Sequence, residues 1–177
     1  MHKKLIVFFS LISVFLLSSC STKIDFYQTM TPKFHFEQFF QGDLVAHGMF
    51  KDRFGKVKKT FVVKMQAKWE GNICILSEYF TYNDGTTSTR IWKIEKLSED
   101  KFVGTADDVI GKAFGIVAGN ALKWDYQLKL KVDNDEYKVD FDDWMYLVSD
   151  DVLLNQSYMN KWGINLGEVI LSIRKVK

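Results

Sequence analysis

Regular alternation of apolar and polar residues is the clearest pattern along this chain. Between positions 61 and 70, the odd-numbered residues are apolar and most even-numbered ones are polar. The same period of two recurs over residues 122–132 and 137–147. Side chains alternate between the two faces of a strand, so this period predicts β-strands with one buried face.

Turn-forming residues separate these runs at short intervals and predict an all-β fold. We count about nine strands, beginning near Asp43 and ending near Lys177. Short consecutive hairpins indicate an antiparallel meander, and a long meander with one apolar face removes its exposed edges by closing. The leading prediction is a lipocalin-like (calycin-type) barrel, and a β-sandwich is the alternative. The turn signals include Asn83-Asp84-Gly85, Gly119-Asn120 and Ser149-Asp150-Asp151.

The first residues have the features of an export signal. Lys3 and Lys4 precede an apolar stretch from Leu5 to Leu17, which is too short to span a bilayer. The segment Leu17-Ser18-Ser19-Cys20 resembles the cleavage box of bacterial lipoproteins. We therefore expect a signal peptide at residues 1–19, a lipidated tether and lead-in at residues 20–40, and the barrel domain at residues 41–177.

The predicted location follows from Cys20 and its neighbour. Several acyl chains on Cys20 would anchor the domain firmly to a membrane, since a single chain gives only marginal binding. Ser21, rather than an aspartate, follows the cysteine. By resemblance to lipoprotein sorting in Gram-negative bacteria, this favours the outer membrane, with the domain facing the periplasm.

Composition and charge exclude several classes of protein. A hydrophobic fraction of 47% excludes a disordered chain. Removal of Lys3 and Lys4 with the signal peptide would leave 22 basic residues against 22 acidic ones, so the mature domain would be neutral. A neutral domain without a basic cluster has no electrostatic footprint for nucleic acid. We expect no nucleic-acid partner.

Residues with catalytic or metal-binding chemistry are few. His35 and His47 have no metal-ligand spacing to a cysteine or to a second histidine. Cys74 lies in an apolar run, where a buried inert thiol is expected rather than a nucleophile. The sequence has no phosphate loop, dinucleotide fingerprint or nucleophile elbow. It therefore predicts no cofactor and no metal, and it favours a protein that is not an enzyme.

Several charged residues fall on the predicted inward faces. A three-residue loop at Asn83-Asp84-Gly85 would place Glu78 opposite Arg90, whereas a two-residue loop would separate them. Alternation along the strand places Asp143 on the same inward face as Phe141 and Met145. Asp107 is likewise expected on the inward face of its strand. Buried carboxylates need partners, so these acids should converge on Arg90, backbone donors or water. They form either the polar end of a ligand pocket or a structural network that closes one mouth of the barrel.

Aromatic residues supply a predicted pocket wall and a predicted outer surface. The wall comprises Trp69, Trp92, Trp124, Tyr126 and Phe141. The hairpin at Gly119-Asn120 would place Gly115 opposite Trp124, where the missing side chain either leaves room for a ligand or is covered by the ring. Outside the barrel, four residues are candidates for contact with a bilayer or a partner: Trp144, Tyr146, Tyr158 and Trp162.

The sequence also resembles a known group, domain-of-unknown-function family 3833, a family of proteobacterial lipoproteins. The resemblance covers essentially the whole mature domain, and it implies a one-domain exported lipoprotein without implying an activity. It is carried by Phe39-Phe40-Gln41-Gly42, Ala46-His47-Gly48, Arg90-Ile91-Trp92, Gly104-Thr105-Ala106-Asp107-Asp108-Val109, Gly119-Asn120-Ala121-Leu122, Asp142-Asp143-Trp144-Met145-Tyr146 and Gly167-Glu168-Val169.

Three functional hypotheses follow. The leading one is a barrel that binds a fatty acid, a phospholipid or another small amphipathic molecule, with Glu78, Arg90, Asp107 and Asp143 at its polar end. The alternative is a non-enzymatic lipoprotein with a solid barrel, whose surface recruits an envelope protein. A lipid-modifying enzyme that uses the inward acids ranks third. An open interior distinguishes the first and third hypotheses from the second.

Overall fold

The computed structural model describes residues 22–132 and 135–176. The predicted signal peptide, residues 1–19, and the predicted lipidation site, Cys20, lie outside the described residues. Within the part of the chain that is described, no helix is long and apolar enough to cross a membrane.

Ten antiparallel strands form a closed barrel. Each strand pairs with its neighbours in sequence, and β1 also pairs with β10. This confirms the predicted all-β barrel and excludes the β-sandwich, although the strands number ten rather than about nine. They are β1 (Gly42–Asp52), β2 (Val57–Glu70), β3 (Ile73–Tyr82), β4 (Thr87–Lys96), β5 (Lys101–Thr105), β6 (Ala113–Ala118), β7 (Ala121–Val132), β8 (Asp135–Ser149), β9 (Val152–Lys161) and β10 (Ile164–Lys175).

Alternating burial along the strands matches the sequence pattern. In β2, Val63, Met65 and Ala67 are buried, whereas the residues between them are exposed. β5 departs from this rule, because three consecutive residues, Phe102, Val103 and Gly104, are buried. A strand of five residues without alternation gives little periodic signal, which makes the strand count hard to fix from sequence.

The barrel has two distinct ends, which we name by the turns found there. The closed end holds the β2–β3 turn at Gly71-Asn72 and the β6–β7 turn at Gly119-Asn120. The open end holds the β3–β4 turn at residues 83–86 and the β9–β10 turn at Trp162-Gly163. Consecutive antiparallel strands reverse direction at every turn, so alternate turns lie at the same end.

Residues 34–40 fold across the closed end, and we call this segment the plug. It contains a single α-helical turn at Phe36–Phe39, after a 3₁₀ helix at Ile24–Tyr27. Phe34, Phe36, Phe39 and Phe40 are all buried. The lead-in predicted at residues 20–40 therefore contributes to the hydrophobic core, and the part of it that is described docks on the domain.

Four polar contacts fix the plug to the rim of the closed end. The Phe34 backbone N–H donates to the Gly119 carbonyl at 2.8 Å. The Trp69 Nε1–H donates to the Phe40 carbonyl at 2.8 Å. Two lysines reach the helical turn: Lys96 Nζ lies 2.9 Å from Glu37 Oε1, and Lys175 Nζ donates to the Gln38 carbonyl. These contacts come from β2, β4, β10 and the β6–β7 turn, so they hold the plug at several points around the closed end.

The segment before the plug covers part of the outer surface, and this corrects one prediction. Trp144 lies on the outer face of β8 but is buried, because the ring of Tyr27 packs against it at 5.9 Å between centroids. Tyr27 also packs at 5.3 Å from the ring of Tyr146, which is half-buried. By contrast, Tyr158 and Trp162 are exposed, as expected, and Trp162 keeps 87% of its surface accessible.

Candidate functional site

A cavity of about 920 Å³ occupies the interior of the barrel. Its volume falls within the range of pockets that hold small-molecule ligands, roughly 300 to 1,000 Å³. Phe36 and Phe40 of the plug bound it at the closed end. It reaches solvent at the open end, where its lining includes the exposed residues Lys59, Ser88 and Thr89. The barrel therefore encloses a cavity that is open to solvent at one end, and its interior is not filled by side chains.

Arg90 and Asp108 form a bidentate ion pair on the cavity wall. Arg90 Nε donates to both carboxylate oxygens of Asp108, at 3.1 and 3.0 Å, and Nη2 donates to Oδ2 at 2.5 Å. Burial tends to lower the pKa of Arg90, but the charge of Glu78 and the bonds to Asp108 outweigh it and raise the pKa. Arg90 is therefore a permanent cation that donates to Asp108 through Nε and Nη2.

The participation of Asp108 corrects the prediction for Asp107. Asp107 is exposed at the rim of the cavity, and its neighbour Asp108 points towards Arg90. The parity count failed because β5 ends at Thr105, and residues 106–112 form no regular strand, although Val109 makes an isolated bridge to Leu128. A turn closed by the Val109 N–H and the Ala106 carbonyl at 3.0 Å rotates the chain there. Strand alternation does not extend through such a turn.

Glu78 faces Arg90 across the β3–β4 hairpin, as the three-residue loop predicts. The closest charged atoms, Glu78 Oε2 and Arg90 Nη1, are 4.0 Å apart, which is too far for a hydrogen bond. Oε2 is buried and has no hydrogen-bond partner among the described residues. Burial raises the pKa of Glu78 to about 7, although Arg90 and the Trp92 side chain act in the opposite direction.

Asp143 is the second buried acid, and it is held by three donors. Ser157 Oγ donates to Oδ1 at 2.7 Å, Asn155 Nδ2 also donates to Oδ1, and the Tyr126 hydroxyl donates to Oδ2 at 3.1 Å. Burial raises the pKa of Asp143 even so, while those three hydrogen bonds act to lower it. Burial and the charge of Asp143 raise the pKa of Tyr126 well above its usual range.

Asn155 and Ser157 are site residues that the sequence analysis missed. Both are buried on the inner face of β9, between Leu153 and Met159. The sequence does contain a signal for them. Asn155 and Ser157 alternate along β9 at the same spacing as the apolar residues Leu153 and Met159, which places all four on one face. A polar residue at a core position of a strand needs a partner, and here the partner is Asp143.

Most of the predicted aromatic wall is present. Trp92, Trp124, Tyr126 and Phe141 line the cavity, with the rings of Tyr126 and Phe141 stacked at 5.2 Å. Trp69 was predicted to line it too, but it lies at the closed end and bonds to the plug. This correction reflects its position at the end of β2, beside the turn, where the plug rather than the cavity covers it.

The ring of Trp124 fills the space beside Gly115. The two residues are paired in the β6–β7 register, as predicted from the turn at Gly119-Asn120. A Cβ atom at position 115 would lie 2.9 Å from the indole ring, closer than such contacts occur. Glycine here permits close packing of the tryptophan, so it leaves no extra room for a ligand.

Other reactive groups lie outside this cavity. Cys74 is fully buried, and burial raises the pKa of its thiol to about 11, as expected of an inert cysteine. His35 and His47 are exposed. Over residues 22–132 and 135–176, no group of three or more His, Cys, Asp or Glu side chains is placed to hold a metal ion.

The fold and the cavity define a lipocalin-like barrel with a charged cluster inside it. The chain belongs to the family described as Protein of unknown function (DUF3833), which matches residues 14–175. A comparison with curated proteins gave no match. Among solved structures, the chain is similar to the S-type phycobiliprotein lyase CPES from Guillardia theta, with a TM-score of 0.59 and 8% identity. That match covers 89% of this chain and 99% of the other, and at such low identity it shows a shared fold alone.

Proposed function

We propose that this protein is an outer-membrane lipoprotein, anchored through Cys20, whose periplasmic barrel binds a lipid or another small amphipathic molecule. The observation that carries the proposal is the cavity of about 920 Å³, open at one end and lined mostly by apolar side chains. Such a shape suits a ligand with an apolar tail and one polar end. The basic start, apolar stretch and Leu17–Cys20 segment support the anchor.

The gradient of polarity inside the cavity supports an amphipathic ligand over a purely apolar one. Near the plug the lining is apolar, with Leu76, Ile94 and Trp124. The charged and polar groups lie between the middle of the barrel and the open end. A molecule entering from the open end would place its tail against the plug and leave its polar end beside Arg90 and Glu78.

Co-purification tests this function directly. The described residues 22–176, apart from 133–134, contain all ten strands and the plug, so a form that starts at Ser21 retains the whole core. That form would be produced in a bacterial periplasm and extracted for mass spectrometry. We expect an amphipathic molecule in near-stoichiometric amount, and a folded protein that carries none would contradict the proposal.

A matched pair of substitutions in β10 shows whether the molecule sits inside the barrel. Val169 lines the cavity, whereas the next residue, Ile170, points to the outer face. We expect Val169→Trp to displace the ligand because the indole ring occupies cavity volume, and Ile170→Trp to retain it. Equal retention by both variants, each with a native circular dichroism spectrum, would place the ligand outside the barrel.

A second candidate function, recruitment of an envelope protein, is favoured by exposed aromatic residues at the open end. Trp162 is 87% exposed and Phe54 is 76% exposed. Their turns are neighbours, because the Arg53 N–H donates to the Leu166 carbonyl at 3.0 Å. A photo-crosslinking residue at position 162 would give one discrete protein adduct in cells if this surface holds a partner. Adducts with lipid alone would reject this candidate.

A further inference from the structure

The charged cluster inside the cavity is unbalanced. Five carboxyl groups line the cavity, and three of them, those of Glu78, Asp108 and Asp143, form this cluster with the guanidinium of Arg90; the other two are those of Asp107 and Glu136, which are exposed. Asp108 and Arg90 neutralise each other through their bidentate pair. The remaining acids therefore give this part of the cavity a negative potential when they are ionised. A negative potential attracts cations and repels an anionic head group.

Arg90 is poorly placed to receive an anion. Its Nε and Nη2 atoms donate to Asp108, and its Nη1 atom faces Glu78 at 4.0 Å. A carboxylate or phosphate bound at Nη1 would lie beside Glu78, whose charge repels it when both groups are ionised. Lys59 and Lys129 also line the cavity, but both are exposed and lie towards the open end, and Lys59 is paired with Asp84 at 3.4 Å.

Glu78 supplies the acceptor that a cationic head would need. Its Oε2 atom is buried and no described residue donates a hydrogen bond to it, although the Trp92 side chain lies close enough to the carboxyl group to lower its pKa. An unpaired buried oxygen costs free energy that a ligand donor would recover. Asp143 Oδ2 accepts a single bond, from Tyr126, and a carboxylate oxygen can accept two. The two acids thus offer vacant acceptor positions to a group with several N–H donors.

Aromatic rings surround the same region and suit a positive charge. The Trp92 and Tyr126 rings lie 5.6 Å apart at a steep angle, and Phe141 stacks on Tyr126. The Arg90 guanidinium already lies 5.9 Å from the Trp92 ring and 6.0 Å from the Phe80 ring. Aromatic faces attract cations, most strongly where water is excluded.

Resting on the proposed function, we propose that the polar end of the ligand is a protonated primary amine. The ammonium group donates to Glu78 Oε2 and to Asp143 Oδ2, and its charge faces the rings of Trp92 and Tyr126. The apolar tail extends towards the plug. The cavity therefore selects long-chain amines over fatty-acid anions of the same length, although both would fit its volume.

Three probes with the same tail separate this inference from the proposed function. Dodecylamine, dodecanol and dodecanoate would each be titrated at neutral pH into the delipidated form that starts at Ser21. Calorimetry below the critical micelle concentration measures the dissociation constants. We expect dodecylamine to bind roughly tenfold or more tightly than dodecanoate, which corresponds to about 1.4 kcal/mol. Dodecanoate binding equally or more tightly would overturn the amine head group.

The variant Glu78→Gln tests the role of the carboxylate. It keeps the size of the side chain and removes a buried charge, so it should fold. We expect it to weaken dodecylamine binding by roughly tenfold and to change dodecanol binding by less than about twofold. Glu70→Gln, which alters an exposed acid at the end of β2, is the control and should change neither.

The pattern of results distinguishes failure of the amine inference from failure of the proposed lipid-binding function. If dodecanol binds but Glu78→Gln leaves dodecylamine affinity unchanged, the amine inference is wrong and the binding barrel stands. If none of the three probes binds to the folded wild-type protein, the proposed function itself fails. Fluorescence of Trp92 and Trp124, which line the cavity, provides an independent readout of occupancy.

Discussion

The two ends of the barrel are built from opposite kinds of residue. At the closed end, four phenylalanines of the plug are buried, and Phe36 packs 4.5 Å from the ring of Phe102 and 6.2 Å from that of Trp124. Towards the open end, Arg90, Glu78 and Asp108 line the cavity. One end is filled with apolar contacts, and the other holds charges that are only partly compensated.

This difference suggests that the closed end mainly stabilises the fold, whereas the charged groups towards the open end serve binding. Burial of large apolar side chains stabilises the fold, so the plug contributes to the free energy of unfolding. Glu78 acts in the opposite direction, because a buried carboxyl group with an unpartnered oxygen destabilises the native state. Groups that lower stability persist where they serve a function, and a rigid plug at one end can offset such groups at the other.

The largest effect should come from the plug. Phe36→Ala removes a fully buried ring that contacts aromatic residues from three strands, and we expect a loss of about 4 kcal/mol in the free energy of unfolding. Urea denaturation followed by tryptophan fluorescence measures it. The matched change at the open end, Phe54→Ala, removes a ring that is 76% exposed. It should alter stability by no more than about 0.5 kcal/mol, and comparable losses in both variants would remove the contrast between the ends.

Next in size is the pH dependence due to Glu78. Folding raises its pKa from 4.5 to about 7, so the native state holds a proton that the unfolded chain releases between those values. Stability should therefore fall as pH rises from about 4.5 to 7. The loss is about 3 kcal/mol at about 1.4 kcal/mol per pKa unit. Burial is the main cause of this rise in pKa, Asp108 and Asp143 add to it, and Arg90 and the Trp92 side chain oppose it.

Comparison with Glu78→Gln isolates that contribution. The variant cannot ionise, so its stability between pH 4.5 and 7 should fall by about 3 kcal/mol less than that of the wild-type protein. Urea midpoints across this range for both proteins provide the measurement. Parallel curves would show that Glu78 is ionised already at the lower pH.

A smaller effect should follow from loss of the ion pair in the cavity. Arg90→Leu leaves Asp108 without its partner, and we expect a loss of about 2 kcal/mol, since the pair is partly exposed rather than fully buried. Adding Asp108→Asn should restore part of the stability. If the double variant is as unstable as the sum of its single changes, the two side chains do not interact in solution.

The smallest effect should come from an ion pair at the rim of the closed end. Lys96 bridges Glu37 of the plug and Glu99 at 2.9 and 2.8 Å, and both acids are accessible to solvent. Lys96→Met should weaken the protein much less than Arg90→Leu. Molar sodium chloride should abolish the difference from wild type, because salt screens exposed charges. A loss of stability that does not depend on salt would mean that Lys96 stabilises the protein through packing of its aliphatic side chain rather than through its charge.

The sequence predicts those parts of the cavity that lie within regular hairpins. The pairing of Glu78 with Arg90 follows from strand parity and a three-residue loop, and both are local properties. Asp143 also follows from parity along β8. Such predictions hold because the period of a strand is fixed by its geometry and leaves little freedom within a hairpin.

Parts of the cavity that depend on irregular segments could not be predicted in this way. Because of the turn after β5, Asp108 rather than Asp107 pairs with Arg90. The period of two along a strand does not continue through that turn. The docking of Phe36 into the closed end is a tertiary contact between a one-turn helix and strands far along the chain. Neither the burial of Trp144 under Tyr27 nor the volume of the cavity is encoded in local alternation.

The pairing of β1 with β10 also imposes an order of events on the folding chain. Nine of the ten strand pairs join neighbours in sequence, whereas Leu44 pairs with Lys175 across nearly the whole domain. Contacts between neighbours form early, and a contact of such long separation forms late. A chain that emerges N-terminus first can therefore assemble hairpins one after another, but its inner apolar face stays accessible until residues 164–175 appear. During that interval the unfinished sheet has two open edges, and open edges are templates for pairing with other chains.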